Sequence, residues 1–236
     1  MSSSLRRSGG SQVIPNPILR EPGQQPPWLG RSTDLSLPAV LSRLSGRISD
    51  VGVTSSPRSD ERISAVMGLL VDGPTGAEVL LTRRSTKLNN HRGEISFPGG
   101  RADEGESIVD AAVRETFEEV GIESSLLSIH CELSPLSTFV SRSYIIPVIA
   151  SIPFKPNLRL NEHEVERALW VPLAELIRAD TYVSELWSFS TEAQLQVQNG
   201  DRPSNHAMHF FYLDDETVWG ATARMLHELL SVVFES

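Results

Sequence analysis

Three glutamates, Glu115, Glu118 and Glu119, stand at i, i+3 and i+4 in a stretch, Arg101 to Glu123, that holds eight acidic residues and only two basic ones. On a helix turning by 100° per residue they fall within an arc of about 100°, so their carboxylates reach one patch. Val109, Ala112, Val113, Thr116 and Val120 form a separate stripe, turned away by roughly 120° and suited to a core. Like charges at helical spacing repel by roughly a few tenths of a kcal/mol per pair, so the grouping is unfavourable in itself. A solvated acidic face is the plain alternative, but such faces interleave lysines, and this one does not. Clustered carboxylate oxygens suit hard cations, Mg²⁺ or Mn²⁺, far better than zinc or copper. The spacing points to a divalent-cation site on a helix that another face anchors.

Periodicity and turn chemistry outline the elements that must hold this helix. Ser107 to Val120 is predicted helical, with Gly121 as a left-handed C-cap. Ile63 to Val71 is nearly all apolar or small, as in a strand covered on both faces. Asp72 to Gly76 marks a turn, and Glu78 to Thr82 reads as the returning strand. A basic loop, Arg83 to Arg92, then leads to a short strand, Ile95 to Phe97, ending at Pro98-Gly99-Gly100. Further strands are expected near Ser128–Leu133, Ser143–Ile152 and His209–Leu213, and helices near Pro172–Arg178 and Val218–Val233. A short helix is expected after Asp34, with Leu37, Val40, Leu41 and Leu44 at helical spacing. This alternation predicts one mixed α/β domain, residues 31–236. The Ser-, Gly- and Pro-rich residues 1–30 are too poor in apolar groups to order themselves. They are expected as a disordered or extended tail, lying on the domain through Ile14, Leu19 or Trp28.

Composition narrows the chemistry. With 236 residues, 39% hydrophobic and 22% charged, the chain can bury a real core. A net charge of −9 argues against nucleic acid and anionic membranes as partners. A local basic patch or a bound cation still admits a small anionic substrate. The single cysteine, Cys131, excludes an intramolecular disulfide and a cysteine zinc cluster. No apolar run approaches the ~18 residues that span a bilayer. A cytoplasmic location is expected, although the Ser/Arg-rich start leaves an organellar transit peptide open. The sequence sets no oligomeric state and allows a homodimer. His206 and His209 read as a polar strand end, and His130 and Cys131 as packing residues. Neither G-x-S-x-G nor H-E-x-x-H occurs, so serine and zinc hydrolase readings have no support.

The run GRADEGESIVDAAVRETFEEVGI, Gly100 to Ile122, resembles the signature of the Nudix hydrolases. Gly100, Glu106, Arg114, Glu115, Glu118, Glu119, Gly121 and Ile122 all stand in register. Thr116 departs from the usual aliphatic slot, but its methyl can pack and its hydroxyl can bond to the preceding turn. The resemblance implies the Nudix fold, an α/β/α sandwich with a mixed β-sheet, and metal-dependent hydrolysis of a diphosphate. It implies that Glu115, Glu118 and Glu119, with a carbonyl of Gly99 or Gly100, hold Mg²⁺ or Mn²⁺. Arg114 and Glu106 would orient the glutamates, and Gly99 and Gly100 would let the backbone approach closely. Glu162 or Glu164, on a loop near the site, would supply a further ligand or the general base; a solvated connector is the equal alternative.

Upstream, LLTRRSTKLNNHRGEISFPGG, Leu80 to Gly100, resembles the additional motif of Nudix coenzyme A diphosphatases. Weaker echoes follow at Asn161–Val165, Trp170–Leu173 and Trp219–Ala223. Arg83, Arg84, Lys87, His91 and Arg92 lie within ten residues of one another in an otherwise acidic chain. Such a cluster suits a substrate with phosphates beyond the one being cut, with Arg83, Arg84 and His91 as the expected contacts; a solvated basic surface loop is the plain alternative. The residues themselves say polyanion; the resemblance says coenzyme A, cleaved to 3′,5′-ADP and 4′-phosphopantetheine. ADP-ribose, NADH or a nucleoside triphosphate are alternative substrates. A silent, nucleotide-binding domain is a third reading, and the intact glutamate trio weighs against it.

Overall fold

The computed structural model describes residues 7–17, 19–45, 57–88, 91–138, 142–188 and 205–235. The first six residues of the expected tail and residues 89–90 of the basic loop lie outside that set. In chain order the strands are β1 (Leu19–Pro22), β2 (Arg62–Gly73), β3 (Gly76–Arg84), β4 (Ile95–Ser96), β5 (Gly99–Arg101) and β6 (Ser128–Glu132). Then follow β7 (Leu136–Ser137), β8 (Ser143–Ser151), β9 (Val165–Pro172), β10 (Tyr182–Ser188), β11 (Asn205–Tyr212) and β12 (Thr217–Trp219). The helices are α1 (Leu37–Ser45), α2 (Ile108–Val120), α3 (Leu173–Leu176) and α4 (Gly220–Phe234).

β2 is the spine of the larger sheet. It pairs antiparallel with β3 through the expected tight turn, and parallel with β8 from Arg62↔Ser143 to Leu70↔Ser151. A parallel neighbour requires a crossover, and the intervening chain supplies one that contains α2. β9 covers the outer edge of β3, and β6 that of β8. Strand alternation divides the core in two. Ala65, Met67, Leu69 and Val71 of β2, Leu80 of β3, and Val148 and Ala150 of β8 face Ala111, Ala112 and Val120 of α2. Leu70, Val79, Leu81 and Ile149, on the opposite face, pack with α1, α3 and α4. The architecture is the expected α/β/α sandwich on a mixed sheet.

A second, antiparallel sheet of order β1-β10-β11-β12 adjoins α4. Trp28 is only 2% exposed and stacks with Phe211 at 6.4 Å, so the N-terminal segment is fastened to the domain there. Several elements differ from the sequence expectation. β9 and β10 were not expected as strands: β9 carries a register break opposite Arg83 and Arg84, and such a break disrupts alternation. The helix expected from Val218 begins at Gly220, because Thr217–Trp219 pairs with β11.

Candidate active site

α2 is fixed at both ends by local chemistry. The hydroxyl oxygen of Ser107 accepts the Asp110 N–H at 3.1 Å, capping the N-terminus. Gly121 takes φ 72°, and its N–H donates to the Phe117 carbonyl at 2.9 Å. That left-handed turn favours glycine, and a Cβ there would also stand 2.9 Å from the Cβ of Arg159. Beyond the cap, the N–H groups of Arg159 and Asn161 donate to the carbonyls of Val120 and Glu119 at 2.9 Å each, tying the following loop to the helix end. Thr116 is fully buried and donates its hydroxyl to the Ala112 carbonyl at 2.7 Å. The unusual residue in the signature thus satisfies its polar atom within the helix, as expected.

Arg114 organises the acidic face. Its Nε and Nη2 donate to the two carboxylate oxygens of Glu106 at 2.9 Å each, a bidentate pair. Nη1 donates to Glu115 at 2.9 Å and to Glu118 at 3.2 Å, and Nη2 also reaches the Arg101 carbonyl at 3.1 Å. Glu106 accepts the Asp103 N–H at 2.9 Å as well. With these two donors, Arg114 foremost, its carboxyl is held down at about 2. One guanidinium thus bonds Glu106, Glu115 and Glu118 together.

The three glutamates do not share one environment. Glu118 is exposed, Glu115 is half-buried, and Glu119 is only 3% exposed, on the side of the helix that enters the core. Sequence spacing alone placed all three on one patch; the packing of α2 against β2 and β5 buries the last. Burial pushes the Glu119 carboxyl up to about 8; the Arg84 guanidinium and the Gly99 N–H pull against it, while Glu115 and Glu164 add to the rise. Burial likewise raises Glu115, against the pull of Arg114 and with a push from Glu118 and Glu164.

β5 supplies the floor. Gly99 and Gly100 pair with Val66 and Ala65 of β2, and Gly99 has φ 151°, where a Cβ would fall 2.3 Å from the Ala65 carbonyl oxygen. At Gly100 a Cβ would lie 2.5 Å from the Glu115 carboxyl carbon, so only glycine lets that carboxylate rest against the backbone. The opposite wall is the Asn161–Val165 turn. Ser85 N–H donates to the Glu164 carbonyl at 2.8 Å, and Val165 pairs with Arg84. Glu164 is thereby set beside both the end of β3 and the carboxylates of α2, whereas Glu162 is exposed.

The basic residues part company. Arg84 extends toward Glu119, and its Nε is buried without a hydrogen-bond partner. Arg83 turns the other way: Nη1 donates to both carboxylate oxygens of the fully buried Glu216, at 2.9 and 3.0 Å. The expected substrate contact through Arg83 is thus replaced by an internal ion pair, because consecutive strand residues face opposite sides of a sheet. His91, at φ 56°, lies exposed and pairs with Glu94 at 2.9 Å, which holds its proton affinity above the usual value. Glu216 carried no sequence signal, since nothing in its local pattern marks a buried acid.

Among the described residues, no three His, Cys, Asp or Glu side chains are already gathered as a metal would need, since Arg114 draws Glu115 and Glu118 toward itself. The donors nevertheless fit a hard divalent cation. Glu119 Oε2 is buried without a partner, Glu115 and Glu164 lie close enough to raise its proton affinity, and the Gly100 backbone is open to the Glu115 carboxylate. A cation is the charge such a group calls for.

Comparison with known proteins agrees. The NUDIX domain model matches residues 61–193. Nudix hydrolase 3 of Caenorhabditis elegans is 30% identical over 201 residues, covering 79% of this chain and 81% of that protein. An uncharacterised Nudix hydrolase, NudL, of Photorhabdus laumondii is 34% identical over 157 residues, covering 66% of this chain and 76% of that one. Among solved structures, a C. elegans Ap4A hydrolase in a binary complex is 25% identical with a TM-score of 0.43, covering 49% of this chain and 83% of that one. The chain belongs to the Nudix family. It is a hydrolase acting on pyrophosphate bonds, in a family that uses divalent metal ions.

Proposed function

We propose that this hydrolase cleaves the diphosphate of coenzyme A, or of its derivatives, giving 3′,5′-ADP and 4′-phosphopantetheine. The observation that carries the reaction is the buried Glu119 carboxylate, whose Oε2 has no partner and which feels the charges of Arg84, Glu115 and Glu164. Glu115, Glu118, Glu119 and the Gly100 carbonyl would hold Mg²⁺ or Mn²⁺. When bound, the cation offsets the repulsion between carboxylates and diphosphate and lowers the pKa of the attacking water. Arg84 binds the oxygens of the diphosphate, the acceptor that suits its unpartnered Nε. Arg114 and Glu106 fix the glutamate rotamers, so little reorganisation remains for the reaction. Glu164 accepts the proton of the attacking water on a carboxylate oxygen.

The choice of coenzyme A rests on the Leu80–Gly100 motif and on chemistry that suits a further phosphate. With Arg83 committed to Glu216, the exposed Lys87, together with the exposed His91 beside its partner Glu94, would meet the 3′-phosphate. Steady-state kinetics with coenzyme A, dephospho-coenzyme A, ADP-ribose, NADH and nucleoside triphosphates, each with Mg²⁺ or Mn²⁺, test the reading. Coenzyme A is expected to have the highest kcat/KM. A higher value for ADP-ribose overturns the substrate assignment. Binding without turnover across the whole panel favours a nucleotide-binding domain instead.

A further inference from the structure

Glu216 has a side chain with 0% exposure, lies outside the carboxylate group of α2, and takes no part in the hydrolysis described. Its partners come from three distant parts of the chain. Arg83, at the end of β3, donates to both of its oxygens. Arg167 of β9 reaches it at 3.4 Å while also pairing with Asp215. Gln12, from the N-terminal segment, donates Nε2 to it at 2.5 Å. The same Gln12 Nε2 lies 3.0 Å from the Gly93 carbonyl, and Gln12 Oε1 accepts the Thr217 N–H at 2.8 Å. One glutamine side chain thus joins the β11–β12 turn to the far end of the basic loop.

That loop leaves β3 at Arg84 and closes again through backbone bonds. Gly93 N–H donates to the Arg84 carbonyl at 3.0 Å, and Arg84 N–H donates to the Glu94 carbonyl at 2.9 Å. Gly93 and Arg83 are therefore the two feet of the turn that presents Arg84, Lys87 and His91. Glu216 grips one foot directly, and Gln12 grips the other. The N-terminal segment is itself anchored nearby: Gly9 N–H donates to the Leu213 carbonyl at 3.1 Å, and Gly10 N–H to Thr217 Oγ1 at 3.0 Å.

We infer that Gln12 and Glu216 are positioning residues for the substrate-binding loop, and that the N-terminal segment is a working part of the binding site. They touch no reacting atom. Their effect passes through Arg83 and Gly93 to the place where Arg84 and its loop meet the substrate. The inference rests on the proposed role of that loop in substrate binding, so its test includes a readout that needs no substrate.

The test uses the full-length chain with Gln12→Ala and, separately, Glu216→Gln. Gln12 is only partly buried, so its truncation leaves the core intact even if the Glu216 variant fails to fold. Steady-state kinetics are run on whichever diphosphate the wild type hydrolyses best, alongside hydrogen–deuterium exchange of residues 84–94. For Gln12→Ala, KM is expected to rise on the order of tenfold with kcat within about twofold, because a displaced loop weakens binding and leaves the carboxylates alone. Exchange in residues 84–94 is expected to accelerate, while exchange in α2 stays as in the wild type. An unchanged KM with unchanged loop exchange overturns the inference, as does a loss confined to kcat. Should no diphosphate be hydrolysed, the exchange result alone decides whether Gln12 holds the loop, separately from the fate of the substrate assignment.

Discussion

Glu119 differs from its two companions by burial, and substitutions should separate them. Glu119→Gln replaces a buried carboxylate with a neutral isostere, removing a cation ligand and a desolvation cost together. Turnover is expected to fall by at least about 100-fold while the melting temperature holds or rises, as kinetics with Mn²⁺ and a thermal melt will check. The adjacent arginines should behave oppositely. Arg83→Ala leaves Glu216 short of its bidentate partner in a fully buried place, at a cost of about 3 kcal/mol in denaturant titration. Arg84→Ala is expected to spare stability and lower kcat/KM. The sequence made the glutamate trio, Arg114 and Glu106 legible because they share one helix or its approach, where spacing sets geometry. It could not tell Arg83 from Arg84, because their partners Glu216 and Glu119 lie far away along the chain.

At the scale of elements, strands and helices with their own periodicity or turn residues were readable: β2, β3 and α2 fall within a few residues of expectation. β5 was not, because Gly99-Gly100-Arg101 has no strand propensity and is extended only through its pairing with β2. β9 was missed for a related reason, since the break beside Arg83 and Arg84 spoils its alternation. The helix caps offer a test here. Ser107→Ala removes the acceptor for the Asp110 N–H and should cost about 1 kcal/mol in a urea titration. Gly121→Ala meets both the left-handed backbone and the Arg159 contact, and should cost at least about 1–2 kcal/mol.

For the molecule as a whole, the junction between the second sheet and α4 should set its response to acid. His209 of β11 stacks on His227 of α4 at 4.2 Å, and Tyr182 Oη lies 2.7 Å from His209 Nδ1. Burial, then the neighbouring His227 and Arg224, pull His209 down to about 3 from its ordinary 6.5. Burial lowers His227 as well, against the pull of Glu228. Both rings bind protons less readily when folded than when unfolded. The contribution of this pair to stability is therefore present above about pH 6.5 and declines as pH falls below it, with the His209 part lost progressively toward pH 3. Denaturation curves between pH 7.5 and 5, compared for the wild type and His227→Gln, isolate it: the variant is expected to lose less stability on acidification than the wild type, and a pH dependence equal to that of the wild type would refute the assignment.

The parallel pairing of β2 with β8 has a consequence for synthesis. As the polypeptide emerges from the ribosome, the acidic helix appears well before residues 143–151, whose Val148 and Ala150 complete the surface beneath it. Trp28 waits longer still, since its neighbours Phe211 and Phe234 are made after those strands. A nascent chain arrested around residue 140 would carry an unsealed apolar layer beside a set of mutually repelling acids. The core on the other side of the sheet closes only once α4 has been released as well.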